Sequence, residues 1–180
     1  MAIAARLARG ETLGDRIIKV DHAGEHGAVC IYTAQRWLAR WRAPEMIGEI
    51  EDFIAHERGH RAIFAAELER RGRSRCRSYW LCGAGGFLLG LLTGLAGRRA
   101  IAATTVAIER VVLRHMREQI AELAGADPHA VEALVHIVAE EQEHHDLSLA
   151  RRGPDDTWTQ VLAPVVAAST ESVSWLGMRL

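Results

Sequence analysis

The sequence predicts an all-α protein: a four-helix bundle supplemented by an apolar, glycine-rich helix and a C-terminal helix. Three observations predict this fold class. Alanine, leucine, arginine and glutamate dominate the 180 residues, which include only four prolines, and such a composition favours helices. Apolar positions recur with helical spacing over long stretches. Helix-starting and helix-ending residues separate those stretches. The length suits one domain, 1–180.

The first pair of predicted helices occupies about 12–72. Thr12 is an N-cap with Asp15 at the N3 position, and apolar periodicity then continues to about Trp41. Pro44 suits the first turn of a second helix that ends near Gly72.

A second pair of helices is predicted over about 98–151. One helix lies between Gly97 and Gly125, and the next runs from an N-cap at Asp127 to about Arg151. The Gly-Pro dipeptide at 153–154 ends this pair, and a last helix is expected from about Asp156 to Gly177. The chain therefore has two similar helical halves and a C-terminal addition.

An uncharged segment, YWLCGAGGFLLGLLTGLA at 79–96, lies between the two halves. It is just long enough for a membrane-spanning helix. Glycines recur in it every four residues, a stripe suited to close helix packing or to the wall of a substrate channel: Gly86, Gly90 and Gly94. The preceding RRGRSRCR contains five arginines, and a basic run beside an apolar segment is typical of attachment to an anionic membrane surface. A buried core helix with a solvated flank is the alternative.

Composition excludes some classes of protein. The net charge is -1 and the hydrophobic content 49%, so neither disorder nor a general nucleic-acid-binding surface is indicated. No aromatic residues alternate with the arginines of the basic run, which disfavours nucleic-acid binding there. The three cysteines, Cys30, Cys76 and Cys82, predict free thiols in a reducing compartment. Arg6 and Arg9 interrupt the N-terminal apolar run, so a cytosolic protein without a signal peptide is expected.

A carboxylate and an imidazole continue the apolar face of the helix at 128–151. Leu134 and Ile137 lie on that face, and helical spacing places Glu141 and His144 on it as well, one turn apart. Glu140 and Glu143 are predicted to point elsewhere, towards His136 and solvent. A single buried Glu-x-x-His pair is weak evidence for a metal site, because a buried polar network explains it equally well.

The same pattern recurs at a fixed offset. Glu57 and His60 form a second Glu-x-x-His pair, 84 residues before the first (141 − 57 and 144 − 60). Glu25 and Glu109 lie on apolar helix faces and are also 84 residues apart (109 − 25). One glutamate from each of two helices and Glu-x-x-His from each of the other two is the ligand pattern of four-helix di-metal carboxylate proteins. The repeat therefore predicts a di-metal site.

Electrostatics favours two cations over a buried polar network. Four carboxylates in one core repel one another, and each unpaired buried charge costs several kcal/mol, whereas two divalent cations balance all four. Oxygen and nitrogen donors without thiolate suit iron or manganese, and we expect two iron ions (Fe²⁺/Fe³⁺). Residues near the ligands are candidates for orienting them: Asp21, His22, His145 and Asp146. His115 is turned off the ligand face and is a candidate outer or substrate-side group.

With these residues identified, the sequence resembles the demethoxyubiquinone hydroxylase family of ubiquinone biosynthesis. DRIIKVDHAGEHGA, HERGH, TVAIE and EEQEHHD match its motifs in order, and the resemblance covers about 15–180. It implies a ferritin-like fold and six iron ligands: Glu25, Glu57, His60, Glu109, Glu141 and His144. A histidine of the family falls on His115. His26 and Met116 stand where the family usually has tyrosines.

The resemblance also implies an activity and a location. It implies an O₂-dependent di-iron monooxygenase that hydroxylates the ring of a demethoxy polyprenyl benzoquinol. The apolar segment and its glycine stripe would then guide the prenyl tail, and attachment would be peripheral, at the cytoplasmic face of the inner or cell membrane. Other ubiquinone-biosynthesis proteins or a second copy of the chain are candidate partners; nucleic acid is not.

Three other functions fit a di-metal helical bundle. Iron storage in a ferritin-like shell would require assembly into a hollow particle. A di-iron hydroxylase acting on a modified tRNA base would use the arginine run to bind phosphates, with salt-sensitive RNA binding. A scaffold that holds metal only for stability would consume no oxygen.

Overall fold

The computed structural model describes residues 3–151 and 157–180, and the regular structure in these ranges is entirely helical. The helices, which confirm the all-α prediction, are α1 (Leu13–Arg42), α2 (Ile47–Arg70), α3 (Tyr79–Ala96), α4 (Arg98–Leu123), α5 (Pro128–Ala150) and α6 (Thr157–Gly177). The predicted stop at Gly153–Pro154 and the predicted start at Asp156 lie outside the described residues.

Local sequence sets where the helices begin. The side chain of Thr12 accepts a hydrogen bond from the Asp15 amide while the Asp15 side chain accepts one from the Thr12 amide, as predicted for α1. Asp127 caps α5 through the amide of Ala130. Pro44 does not open α2 directly: it begins a short 3₁₀ turn, Pro44–Met46, and α2 starts at Ile47.

Helices α1, α2, α4 and α5 form the bundle. In it α1 packs against α2 and α4 against α5, and contacts between α2 and α5 and between α1 and α4 close it. Helix α3 lies on α1, and α6 lies on α4. The buried apolar side chains form two clusters, one around Ile17, Phe64 and Leu134 and the other around Tyr32 and Phe53. The predicted ligands of α1, α2 and α4 fall between these clusters along their helices, so apolar packing holds them from both ends.

The glycine stripe of α3 allows that helix to touch the backbone of α1. A Cβ atom added to Gly86 would lie 2.4 Å from the carbonyl oxygen of Gly27, and one added to Gly90 would lie 2.2 Å from that of Ile31. A Cβ added to Gly94 would lie 3.0 Å from the Cα of Gln35. As the residue number increases along α3, the number of the contacted residue increases along α1, so the two helices are parallel. The stripe therefore serves close helix packing, the first of its two predicted uses.

Three of the five arginines in the basic run form ion pairs within the protein. Arg71 donates to both carboxylate oxygens of Asp127, at 2.6 and 2.8 Å, and also contacts Asp15. Arg73 binds Asp15, and Arg70 binds Glu67. These arginines join the starts of α1 and α5 to the end of α2. The positive charge available to a membrane surface is therefore smaller than the basic run predicts. Of its five arginines, only Arg75 and Arg77 form no ion pair with a described residue.

Helix α3 is apolar but largely exposed. It is the one helix within 3–151 and 157–180 whose length and composition would allow it to cross a membrane, and only 33% of it is buried. Leu88 is 58% exposed, Leu92 61% and Val165 of the adjacent α6 65%. The alternative of a buried core helix is thus wrong: one side packs on α1 and the other presents large apolar side chains.

A buried glutamate near the N-terminus provides a prediction about stability and pH. Burial tends to raise the pKa of Glu11, but hydrogen bonds from Arg16, the Ala8 amide and Lys19 outweigh it and hold the pKa at about 2, below the ordinary 4.5. A lowered carboxyl pKa contributes stability that is complete above the unfolded value and is lost as pH falls towards the folded value.

We therefore expect Glu11→Gln to lower the free energy of unfolding at pH 7 by about 2 kcal/mol, the size of a buried hydrogen bond to a charged group. The difference from wild type should shrink between about pH 5 and pH 2. Urea unfolding followed by circular dichroism at several pH values measures it, with Glu69→Gln on the exposed face of α2 as control. A difference that stays constant with pH would contradict the assigned charge pairing.

Candidate metal centre

Six buried side chains from four helices meet inside the bundle. Each is at most 5% exposed. The first glutamate comes from α1 and the third from α4, while α2 and α5 each contribute a Glu-x-x-His pair whose members are one turn apart. They are the six residues predicted from the repeat: Glu25, Glu57, His60, Glu109, Glu141 and His144.

The donor atoms divide into two groups of four that share two carboxylates. One group contains Glu25 and His60, and the other contains Glu109 and His144. Glu57 and Glu141 belong to both, and the donor atoms within each group lie within 4.8 Å of one another. Two ions held this way would each have one glutamate and one imidazole of their own and would share Glu57 and Glu141.

Both imidazoles present the same nitrogen to the carboxylates. The Nδ1 of His60 lies 2.9 Å from Glu141 and 3.8 Å from Glu57. The Nδ1 of His144 lies 3.5 Å from Glu57 and 3.7 Å from Glu141. Each histidine thus faces both shared carboxylates, which is the orientation a metal ligand needs.

The outer nitrogens of the imidazoles contact two residues that the helical-wheel argument missed. The Nε2 of His60 is 2.9 Å from Glu140, and the Nε2 of His144 is 2.9 Å from the Nδ1 of His56. Glu140 was predicted to point towards His136 and solvent, and that prediction is wrong. His56 and Glu140 are themselves 84 residues apart (140 − 56). In each half, therefore, the residue before the Glu-x-x-His pair supports the histidine of the other half.

Tyr32 orients one terminal carboxylate. Its hydroxyl donates to Glu109 at 2.9 Å, and the ring is 1% exposed. The residue 84 positions later is Met116, which is buried and lines the cavity described below. A thioether cannot donate a hydrogen bond as a phenol does. The two halves of the site therefore differ here, at one of the two positions where the chain departs from the family pattern.

Charges in the centre fit two divalent cations. Burial and repulsion from Glu57 and Glu141 raise the pKa of Glu25 and of Glu109 well above 4.5. Burial opposes charge on the imidazoles, but the carboxylates of the shared glutamates beside them outweigh it and raise their pKa values. Without cations the cluster must hold protons. Several buried donor atoms lack a hydrogen-bond partner among the described residues, including both oxygens of Glu57 and the Nδ1 of His144.

The candidate orienting residues lie in different places. Asp146 is exposed and contacts Gln142 and His145, while neither ligand histidine is its partner. His22 is buried and stacks on Tyr79 with ring centroids 5.1 Å apart. His26, at the second departure from the family pattern, stacks on the same tyrosine at 4.0 Å.

Asp21 and His115 instead line a cavity of about 390 Å³ between α1, α3, α4 and α6. His115 contacts Glu171 of α6 at 3.0 Å. One oxygen of Asp21 accepts from Gln119, the other lacks a described partner, and burial raises the Asp21 pKa to about 7.

This cavity connects the centre with the exposed apolar surface. Its inner end includes the four carboxylates, and its outer part is lined by leucines of α3 and by Val165 of α6. Its lining is mainly apolar, as is usual for small-molecule sites. Gly86 lines the cavity, whereas Gly90 and Gly94 are absent from the part of its lining that the structure describes. The cavity therefore offers an apolar molecule direct access to the centre.

The contact between Glu140 and His60 leads to a prediction about metal affinity. Partners that orient a ligating histidine typically change metal affinity by 10–100-fold. We expect Glu140→Gln to weaken binding of one ion about tenfold, measured by titrating the metal-free protein with Co²⁺. Asp146→Asn on the same helix is the control and should leave the affinity unchanged. If both variants bind Co²⁺ like wild type, Glu140 does not orient the ligand.

The fold and the donor set together define the class of protein. A four-helix bundle with one glutamate from each of two helices and Glu-x-x-His from each of the other two has the fold and the donor pattern of the ferritin-like di-metal carboxylate proteins.

Comparison with known proteins places the chain in one family of that class. The family model for ubiquinone biosynthesis protein COQ7 matches residues 12–177, and the chain belongs to this family. It is 33% identical over 168 residues to the 3-demethoxyubiquinol 3-hydroxylase of Rhodospirillum rubrum, covering 92% of this chain and 78% of that protein. It is 35% identical over 172 residues to the human mitochondrial NADPH-dependent 3-demethoxyubiquinone 3-hydroxylase, covering 92% and 77%. The resemblance identified from the motifs is thereby confirmed.

Proposed function

We propose that the protein is an O₂-dependent di-iron monooxygenase that hydroxylates the ring of a demethoxy polyprenyl benzoquinol in ubiquinone biosynthesis. The observation that carries the proposal is the pair of donor groups sharing Glu57 and Glu141 at the inner end of an apolar cavity. The two relatives named above are hydroxylases of demethoxyubiquinone or its quinol, and they supply the substrate class.

The six ligands would hold two iron ions. Glu57 and Glu141 would contribute to both positions, Glu25 and His60 to one, and Glu109 and His144 to the other. Bound iron would supply the activation of O₂, with one oxygen atom entering the ring and the other leaving as water. The two electrons and two protons for that water would come from oxidation of the quinol to the quinone. The residues around the centre keep the ligands in place and exclude bulk water, since apolar clusters pack on both sides.

The cavity would hold the quinol ring against the carboxylate end. Asp21 has an unpartnered carboxylate oxygen there, suited to a hydrogen bond with a ring hydroxyl. His115, fixed by Glu171, lies on the same wall. The prenyl tail would leave between α3 and α6, past Leu88 and Leu92.

We further propose peripheral attachment to the membrane that holds this lipid, at its cytoplasmic face or the corresponding inner-membrane surface. The exposed apolar side chains of α3 and α6 surround the cavity mouth, so docking on a bilayer would place the mouth at the lipid phase. Arg75, stacked on Tyr79 and Trp80, is available to contact lipid phosphates at the start of α3.

The test is hydroxylation by the purified protein of demethoxyubiquinol carried in phospholipid vesicles. We expect hydroxylated product and quinol-dependent O₂ consumption, loss of both after iron is removed with a chelator, and recovery after Fe²⁺ is restored. The protein should float with the vesicles in a density gradient. Iron-loaded protein that consumes no O₂ with this quinol would contradict the proposal.

The same preparation distinguishes the other functions. Iron storage would give a multisubunit particle on gel filtration that takes up many irons per chain. A tRNA-modifying hydroxylase would retain RNA in a salt-dependent way. A metal-stabilised scaffold would show no quinol-dependent O₂ consumption. None of these alternatives is supported by the family comparison.

A further inference from the structure

A second depression approaches the metal centre from the side of α2 and α5. We call it the acidic groove; its lining includes Glu49, Asp52, His56, Glu143, His144 and Leu147. It contains three carboxylates, and none of its described lining residues is a lysine or arginine. Its inner end is the buried ligand His144. The apolar cavity and the acidic groove therefore reach the same centre from different helices.

We propose that the acidic groove is the route by which a divalent cation reaches the metal centre, and that Glu49, Asp52 and Glu143 form a transient outer site for the hydrated ion. This inference rests on the metal site proposed above. It concerns how the site is filled and is separate from the reaction.

Glu49 provides a buried, free acceptor in the acidic groove. Its side chain is 10% exposed, and one carboxylate oxygen is paired with Arg151 at 2.9 Å. The other oxygen, Oε1, is shielded from solvent and has no hydrogen-bond partner within 3–151 and 157–180. An unpaired buried acceptor is costly, and a cation in the groove would satisfy it.

The geometry suits a hydrated ion that passes through. Among the residues the structure describes, only the two groups of the metal centre bring three or more metal-binding side chains within 4.8 Å. The carboxylates of the acidic groove are further apart, so they would attract an ion through its water shell and hold it weakly. The ion would then move on to the tighter, fully buried donor sets.

One layer of side chains separates the acidic groove from the centre. His144 has its Nε2 against His56, on the groove side, and its Nδ1 towards Glu57 and Glu141. The rings of His56 and His144 stack with centroids 5.2 Å apart. Rotation of these two imidazoles would open a path. The apolar cavity is the less favourable route, because a desolvated cation is costly in apolar surroundings.

Uptake of Co²⁺ by the metal-free protein, followed by stopped-flow absorbance, tests the route. We expect the double variant Asp52→Asn/Glu143→Gln to bind as many ions as wild type but about tenfold more slowly, with a weaker dependence of the rate on salt. The control is the double variant Glu51→Gln/Glu69→Gln, which changes the net charge by the same amount but at two positions of α2 outside the groove. It should bind Co²⁺ at the wild-type rate. Gly48→Leu should also slow uptake: the residue lines the groove, its added Cβ has open space, and charge is unchanged.

The outcomes separate this inference from the proposed function. If wild type binds no Co²⁺, the metal site itself is wrong. If wild type binds two ions and the Asp52/Glu143 variant takes them up equally fast, the route is wrong and the site stands. A variant that binds fewer ions at saturation would also overturn the route, because these residues would then be ligands.

Discussion

Replacing Glu57 by glutamine is expected to abolish binding of both metal ions and to lower hydroxylation below detection. The Glu57 carboxylate belongs to both donor groups, with Oε1 3.5 Å from the Nδ1 of His144 and Oε2 3.8 Å from the Nδ1 of His60. Glutamine keeps the shape but removes one oxygen donor and the negative charge. Two cations would then face three carboxylates, and neither position would keep its full donor set.

A terminal ligand should behave differently from a shared one. Glu109 belongs to one donor group only, so Glu109→Gln should lose one ion and leave the Glu25 and His60 position filled. Metal content by mass spectrometry after dialysis against Fe²⁺ without oxygen gives the numbers: two ions per chain in wild type, one in Glu109→Gln and none in Glu57→Gln. Glu51→Gln, which breaks only a surface pair with Arg36, is the control.

Metal-free protein separates loss of ligands from loss of fold. In the metal-free centre burial opposes charge on Glu57, but its carboxylate is paired with the imidazoles of His60 and His144, which lower its pKa, and removing one partner of a buried pair is destabilising. Metal-free Glu57→Gln should therefore melt below metal-free wild type while keeping a helical circular-dichroism spectrum. Two ions retained in Glu57→Gln would show that this glutamate is not shared between the two positions, and the shared-carboxylate arrangement would be wrong.

The fold was predictable because its signals are local. The capping box at Thr12 and the N-cap at Asp127 depend on residues three positions apart, and the apolar stripes need only one helix each. The convergence of the six glutamate and histidine side chains was predictable for a second reason. The 84-residue offset turned single buried glutamates, each with an ordinary explanation, into two matching sets.

The residues that escaped prediction make contacts between helices. On a wheel of α5 alone, Glu140 turns away from the core, yet it reaches His60 of α2, which lies beside it in the bundle. His56 reaches His144 in the same way. His56 and Glu140 are also 84 residues apart. The repeat could therefore have indicated their matching roles, whereas a helical wheel of one helix could not.

The sequence alone did not show what the arginine run and the α3 glycines contact, because both depend on how the helices pack together. The arginine run is basic in sequence, but Asp15, Glu67 and Asp127 neutralise part of it from three different helix ends. Glu67 is one helical turn from the run, but Asp15 and Asp127 are each 56 residues from Arg71 and could not be assigned from the sequence. The spacing of the α3 glycines likewise predicts a smooth stripe without saying what lies against it.

Gly90→Ala is expected to destabilise the protein by about 3 kcal/mol, near the upper end for overpacking a tight interior. The new methyl carbon would lie 2.2 Å from the carbonyl oxygen of Ile31 and 2.8 Å from the Cβ of Ala34. Both belong to the rigid backbone face of α1, so neither can rotate away as a flexible side chain could. Helix α3 would have to separate from α1, and the cavity that the two helices share would change shape.

Gly85→Ala is the matched control in the same helix. An added Cβ at Gly85 meets nothing within 4 Å, and alanine is a better helix residue than glycine by roughly 0.5–1 kcal/mol. The two substitutions, five residues apart and chemically identical, should therefore shift the free energy of unfolding in opposite directions in a guanidinium titration. Because α3 carries the exposed leucines around the cavity mouth, Gly90→Ala should also weaken quinol-dependent turnover while the metal content stays at two ions. Equal effects of the two alanines on stability would mean that α3 does not pack on α1 through its glycines.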